Sequence, residues 1–152
     1  MGNLCAQVLS SLTDHLLVIG KHAEKLARLE RLGIEGRMLQ DRPLDRAADI
    51  VVECTGSESG LPTALELVRP RGTIVLKTTV AGTQTLSLAP IVVDEVTIVG
   101  SRCGPFEPAL DALASGLVDV HPLISERFSL SDGVRALQRA AEPGVLKVLL
   151  ST

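Results

Sequence analysis

Aromatic side chains are nearly missing from this sequence: it has two Phe and no Tyr or Trp, which leaves almost nothing for bases to stack on. An excess of positive charge is missing too, because 15 basic and 18 acidic residues are interspersed to a net charge of −3, with no basic stripe. Together these absences set nucleic-acid binding aside. No apolar run exceeds strand length, which excludes a membrane span. Disorder is excluded in turn by a hydrophobic content of 45% and a mean hydropathy of +0.31. What remains is a soluble globular domain, since 152 residues suffice for one core and are too few for two comfortable ones.

Cysteine pairing is equally sparse. Cys5, Cys54 and Cys103 are odd in number, far apart and form no Cys-x-x-Cys, which points to a reducing compartment and away from a structural zinc. His15, His22 and His121 are scattered without a His-x-x-x-His or Cys/His grouping, and read as surface or turn residues. No Gly-x-Ser-x-Gly elbow and no Walker A loop occur, so hydrolase and P-loop chemistry lack support. Met1 is followed by an amphipathic pattern rather than a basic flank and a long apolar core, so no secretory leader is expected and the cytoplasm is the default location.

The chain is organised around Asp49-Ile50-Val51-Val52-Glu53-Cys54-Thr55-Gly56, a β-branched run with a Thr-Gly stop. Such a run reads as a strand buried on both faces, with bare backbone at its carboxyl end, where open α/β sheets bind ligands. Before it, Cys5, Val8, Leu9 and Leu12 follow helical spacing from Gly2 onward, and Leu16–Gly20 is a strand pattern followed by a helix carrying Leu26, Leu29 and Leu32 up to Gly33. Arg37-Met38-Leu39 is a short strand, and Arg42-Pro43 breaks the chain.

After Gly56, the residues Leu61, Ala64, Leu65 and Val68 form a helix face, Arg69-Pro70-Arg71-Gly72 is a stop, and Thr73–Leu76 is the next strand. Lys77–Gly82 continues it into a polar loop. Ile91-Val92-Val93 is a short apolar segment, and Val96–Ser101 a strand ending in Arg102-Cys103-Gly104. A helix is expected after Pro108 with Leu110, Leu113, Ala114 and Leu117 on one face, and another bears Val134, Leu137 and Ala141. Val145–Leu150 is a terminal strand with one charge, Lys147. No repeat or linker interrupts this alternation, which is the sign of a doubly wound α/β parallel sheet with helices on both faces.

Glu53-Cys54-Thr55-Gly56, Arg69-Pro70-Arg71-Gly72-Thr73-Ile74-Val75 and Val99-Gly100-Ser101, taken in order with the helices between them, resemble the cofactor domain of the medium-chain, zinc-dependent alcohol dehydrogenase superfamily. The resemblance covers nearly the whole chain. It implies that residues 1–152 are an incomplete, Rossmann-like dinucleotide-binding domain, cut within the family's G-x-G-x-x-G fingerprint. Gly2 matches the last glycine of that fingerprint, the one that permits close helix–strand packing. The first two glycines, the first strand and the zinc-bearing catalytic domain have no match here. Because the missing strand is central in the family's order, its loss would separate the Leu16 strand from the Asp49 strand and leave two unpaired edges.

The resemblance also assigns roles. NAD-preferring members hold an acid where this sequence has Gly20, followed by Lys21; glycine with a nearby lysine accommodates a 2′-phosphate, which favours NADP over NAD. The plain alternative is a solvated turn. Thr55 and Gly56 match the rim beside the cofactor, where missing bulk lets a ligand approach the backbone. Lys77, Thr78 and Thr79 match the stretch that meets the nicotinamide amide, and Ser101, Arg102 and Cys103 the other side of that pocket. Lys147 matches a basic residue facing the pyrophosphate, or else is an edge-strand lysine kept in water. Cys54 is better read as a small packed residue than as a nucleophile, since no histidine pattern would activate it. Glu53 is a buried acid near the site without a visible partner.

The function implied is the cofactor-binding domain of an alcohol or polyol dehydrogenase, inactive alone, with NADP or NAD as cofactor and zinc only in the intact family. A second reading is a non-catalytic module, because Ile91-Val92-Val93 and the Val96 strand, through Ser101, look like the edge by which family dimers join their sheets. A third is a methyltransferase-like α/β domain, which the absence of an acid at Gly20 disfavours.

Overall fold

A computed structural model describes residues 1–42, 45–80 and 85–152. The expected break at Pro43 and the loop end at Ala81 and Gly82 lie outside the described residues. Two compact units are present, one made of Met1–Gly2 and Gln40–Pro105, the other of Asn3–Leu39 and Phe106–Thr152. Both are parallel sheets flanked by helices, as the alternating pattern predicts.

The first unit holds a three-stranded parallel sheet in the order β3-β4-β5, with β3 at Ala48–Glu53, β4 at Val68–Leu76 and β5 at Thr97–Gly100. Its crossovers contain α3 (Gly60–Leu67) and the short α4 (Ala89–Val93). The core follows from this order. Ala64 and Leu65 of α3 close on Val68 and Ile74 of β4 and on Val96, with Val51, Leu61, Ile91 and Ile98 packed around them. In register, Val51 lies beside Ile74 and Ile74 beside Ile98, so the apolar residues of three strands share one row.

Arg69-Pro70-Arg71-Gly72 does not stop the chain before β4, as the sequence suggests, but lies inside it as a bulge. Ala48 pairs with Val68 and Ile50 with Thr73, so Asp49 alone faces the four intervening residues. Pro70 lacks a ladder donor and Arg71 adopts φ 61°, so these residues break the ladder without ending the strand. Arg69 Nε closes the bulge on Asp49 Oδ1 at 2.6 Å. Gly72 is required there, since a Cβ would lie 2.6 Å from Val68 Cγ2 and 3.0 Å from the Asp49 carbonyl oxygen.

The second unit opens with α1 (Gly2–Ser10), whose first residue counts with the other unit, and pairs β1 (Leu17–Gly20) with β2 (Glu35–Met38) in parallel across α2 (Ala23–Glu30). Ala6 of α1, Leu29 of α2 and Ile34 form its core with Leu16 and Val18. Buried Gln7 acts as a side-chain rung: it donates to the Asp119 carbonyl at 3.1 Å and accepts from the Asp119 amide at 2.6 Å. β1 pairs with β2 and β3 with β4, in separate sheets.

After α5 (Phe106–Ala114), β6 (Ile124–Ser129) and β7 (Lys147–Ser151) form a parallel pair connected through α6 (Gly133–Ala140). One expectation, the start of α5, is corrected here. α5 begins two residues ahead of Pro108, which sits within the first turn where its missing N–H costs nothing. The predicted apolar faces are open, with Leu110 and Leu113 of α5 and Val134 and Leu137 of α6 exposed, while the buried residue of α6 is Ala136. No helix among the described residues is long and apolar enough to cross a membrane.

Candidate functional site

Three strands of the first unit end side by side, and eight of the residues singled out from sequence follow those ends: Thr55 and Gly56 after β3, Lys77, Thr78 and Thr79 after β4, and Ser101, Arg102 and Cys103 after β5. Parallel pairing makes this unavoidable, because every strand delivers its carboxyl end to the same edge. The ladder runs one step past each strand, from the Lys77 amide to the Glu53 carbonyl and from the Ser101 amide to the Leu76 carbonyl, each at 2.9 Å.

Side chains then stitch the rim. Gly56, at φ 72°, turns its amide onto Thr78 Oγ1 at 3.0 Å. Lys77 Nζ donates to Ser101 Oγ at 3.1 Å and lies 3.4 Å from the Ser101 carbonyl oxygen. Among the described residues, the two chain neighbours of Gly56 aside, no atom lies within 4 Å of where a Gly56 Cβ would stand, which leaves backbone open to a ligand there. Below the rim is a cleft of about 340 Å³, lined by the polar Glu53, Ser57, Thr78 and Thr79 and the apolar Leu61 and Leu76. Arg102 and the free thiol of Cys103 are exposed beyond Ser101.

Gly2 belongs to the same unit, and a Cβ on it would meet Cys54 Sγ at 3.6 Å, an ordinary contact that space alone permits. Gly20 and Lys21 end β1 in the second unit. Packing there is tight: a Cβ on Gly20 would lie 3.0 Å from Leu26 Cδ2, so a larger residue would need the buried leucine to give by a few tenths of an ångström. Lys147 is the exposed first residue of β7. His22 Nδ1 lies 3.8 Å from Glu24 Oε1 with both side chains more than half exposed, a weak surface pair. Among the described residues, no three His, Cys, Asp or Glu side chains group closely enough to hold a metal ion, so a zinc site is not supplied by them.

Two polar residues of the cleft, Glu53 and Ser57, are absent from the set of cofactor-binding residues chosen by sequence. Their signal is the alternation Glu53-x-Thr55-x-Ser57, which returns a polar side chain every second residue as the strand turns into α3.

Residues 1–115 match a family model described as zinc-binding dehydrogenase. Sorbitol dehydrogenase of Mus musculus is 33% identical over 104 residues, covering 67% of this chain and 29% of that protein. Among solved structures, L-idonate 5-dehydrogenase of Escherichia coli superposes with a TM-score of 0.88 at 22% identity, over 99% of this chain and 46% of the other. A zinc-binding dehydrogenase homologue from Sinorhizobium meliloti 1021, crystallised bound to NADP, gives 0.83 at 23%, over 99% and 49%. The chain thus spans less than half the length of each of these relatives.

Proposed function

Because the chain belongs to the zinc-binding dehydrogenase family, we propose that it serves as the nicotinamide-cofactor-binding part of an alcohol or polyol dehydrogenase. One observation carries this reading: Thr55, Gly56, Lys77, Thr78 and Ser101 follow the carboxyl ends of parallel strands, where Gly56 is bonded to Thr78 and Lys77 to Ser101. The cofactor, when bound, supplies the hydride acceptor; the residues supply position. Open backbone at Gly56 admits the ring, the Thr78 and Thr79 backbone meets its carboxamide, and Lys77 holds Ser101, with Arg102 and Cys103, on the other side. Gly2 gives the start of α1 the small residue that close packing needs.

Gly20 and Lys21 favour NADP, since no acid at this strand end opposes a 2′-phosphate and the positive charge of a lysine attracts one. The test is a titration of the chain with NADPH and NADH, following nicotinamide fluorescence and melting temperature together. Saturable binding with a rise in melting temperature is expected, tighter for NADPH, and Lys21→Glu should reverse the order. No binding to folded protein would overturn the reading.

Turnover of a polyol such as sorbitol by the chain alone is expected to stay at background, because the described residues supply no metal site. A nicotinamide absorbance assay with NADP and with NAD checks this. The edge from Ile91 to Ser101 is proposed as a homodimer seam: β5 pairs with β4 on one side, and Val92, Val93 and Val99 are exposed along it. Sedimentation equilibrium should then return twice the chain mass, and a monomer would remove the seam. Family membership decides against the methyltransferase-like alternative.

A further inference from the structure

We propose that Glu53 is a positioning residue of this rim: its buried carboxylate folds the turn Cys54–Ser57 and thereby sets the nicotinamide end of the site, a role that rests on the cofactor-binding reading. Glu53 is 3% exposed. Its Oε1 accepts two bonds from a single residue, the Thr55 amide at 2.8 Å and the Thr55 hydroxyl at 2.6 Å. With its proton committed to the carboxylate, that hydroxyl is free to accept from the Ser57 amide at 3.2 Å. The Ser57 and Ser59 hydroxyls, 3.1 Å apart, carry the chain of bonds to the start of α3. One residue on, the Gly56 amide reaches Thr78 Oγ1, so fixing Thr55 also fixes the rim of β3 against the rim of β4.

Stability does not explain a carboxylate here. Glu53 Oε2 is buried with no hydrogen-bond partner among the described residues. A charge taken out of water with one oxygen unpaired is costly, and a well-packed apolar residue would serve the core better. What an oxygen acceptor at this position supplies, and an apolar residue does not, is a pair of short bonds to Thr55 that hold an exposed turn in one geometry before any ligand arrives. The fold makes room for it: a Cβ on Gly60 would lie 2.2 Å from Glu53 Oε1 and 2.4 Å from Thr55 Oγ1. An acid at the strand end and a glycine at the helix start are therefore a matched pair.

The experiment compares wild type, Glu53→Ala and Glu53→Gln, each titrated with NADH and with ADP-ribose, which keeps the adenosine and pyrophosphate but lacks the nicotinamide. Glu53→Ala should weaken NADH about tenfold while changing ADP-ribose by less than about twofold, and the emission of bound NADH should move toward that of the free cofactor. Glu53→Gln keeps a carbonyl acceptor and should restore NADH affinity to within about threefold of wild type. Equal losses for both ligands would mean that Glu53 serves only folding, and unchanged NADH affinity in Glu53→Ala would remove it from the site; either overturns the proposal. Should wild type bind neither ligand, the cofactor reading itself fails, and amide exchange decides the turn. Faster exchange at Thr55 and Ser57 in Glu53→Ala, but not in Glu53→Gln, then supports the positioning role, and unchanged exchange overturns it.

Discussion

Ile74→Ala should remove about 2–5 kcal/mol from the first unit, a large fraction of the roughly 5–15 kcal/mol that holds a typical domain together. Ile74 is 0% exposed and sits in the central strand, between Val51 of β3 and Ile98 of β5, under Ala64, Leu65 and Val68. Truncation loses the transfer energy of its methyl and methylene groups and leaves a cavity that three strands and a helix close only partly. Both neighbouring strands hang on β4, so the damage is not local: Lys77 and Thr78 follow directly from Leu76, and a loosened β4 should loosen the rim. Urea denaturation with amide exchange along β3, β4 and β5 measures this. The control is Ile50→Ala on the exposed face of β3, which should cost less than about 1 kcal/mol. Equal midpoint shifts for the two variants would show that the row through Ile74 is not the sealed core described above.

What could be read from sequence was whatever local chemistry dictates. The Asp49 run became β3 within a residue of its expected start, and Thr73–Leu76 and the Val96 strand kept their places, because a β-branched run with a polar stop has few other outcomes. Eight candidate residues fell on one edge because parallel strands share a direction. The bulge at Arg69–Gly72 was not legible: Pro and Gly mark a break in the ladder, but whether the strand resumes depends on a partner, here Asp49 and Ile50 of β3. β6 was missed because Ile-Ser-Glu-Arg-Phe-Ser offers only Ile124 and Phe128 as apolar residues. Pairing with β7, the Arg139–Glu126 ion pair and the stacking of Arg135 over Phe128 supply the rest. The faces of α5 and α6 were read as apolar stripes, and whether they are covered was not legible, since periodicity defines a stripe without saying what covers it. Glu53 was visible as an acid beside the site, but its partner is the hydroxyl two residues on, a pairing that depends on the turn it creates.

Gly60→Ala is the second substitution with a large expected effect, and its sign runs against helix propensity. Gly60 opens α3, where alanine would ordinarily be better by up to about 1 kcal/mol. Against that stands the added Cβ, 2.2 Å from Glu53 Oε1, 2.4 Å from Thr55 Oγ1 and 2.7 Å from Glu53 Cδ, separations that no real contact sustains. The glutamate is buried and cannot swing aside freely. Overpacking costs about 1–3 kcal/mol, and displacing the carboxylate also gives up charge-assisted bonds worth about 1.5–3 kcal/mol. Sterics win, and a net loss of about 2 kcal/mol should lower the melting temperature by roughly 4–8 °C in a chain of this size. Glu53→Ala relieves most of the clash and leaves the Thr55 hydroxyl free to rotate away. The double variant should therefore be more stable than the sum of the two single losses by at least about 1 kcal/mol, a coupling that a thermal double-mutant cycle reads directly. Additive losses would mean that acid and glycine act independently, and the matched pair at the base of the rim would have to be abandoned.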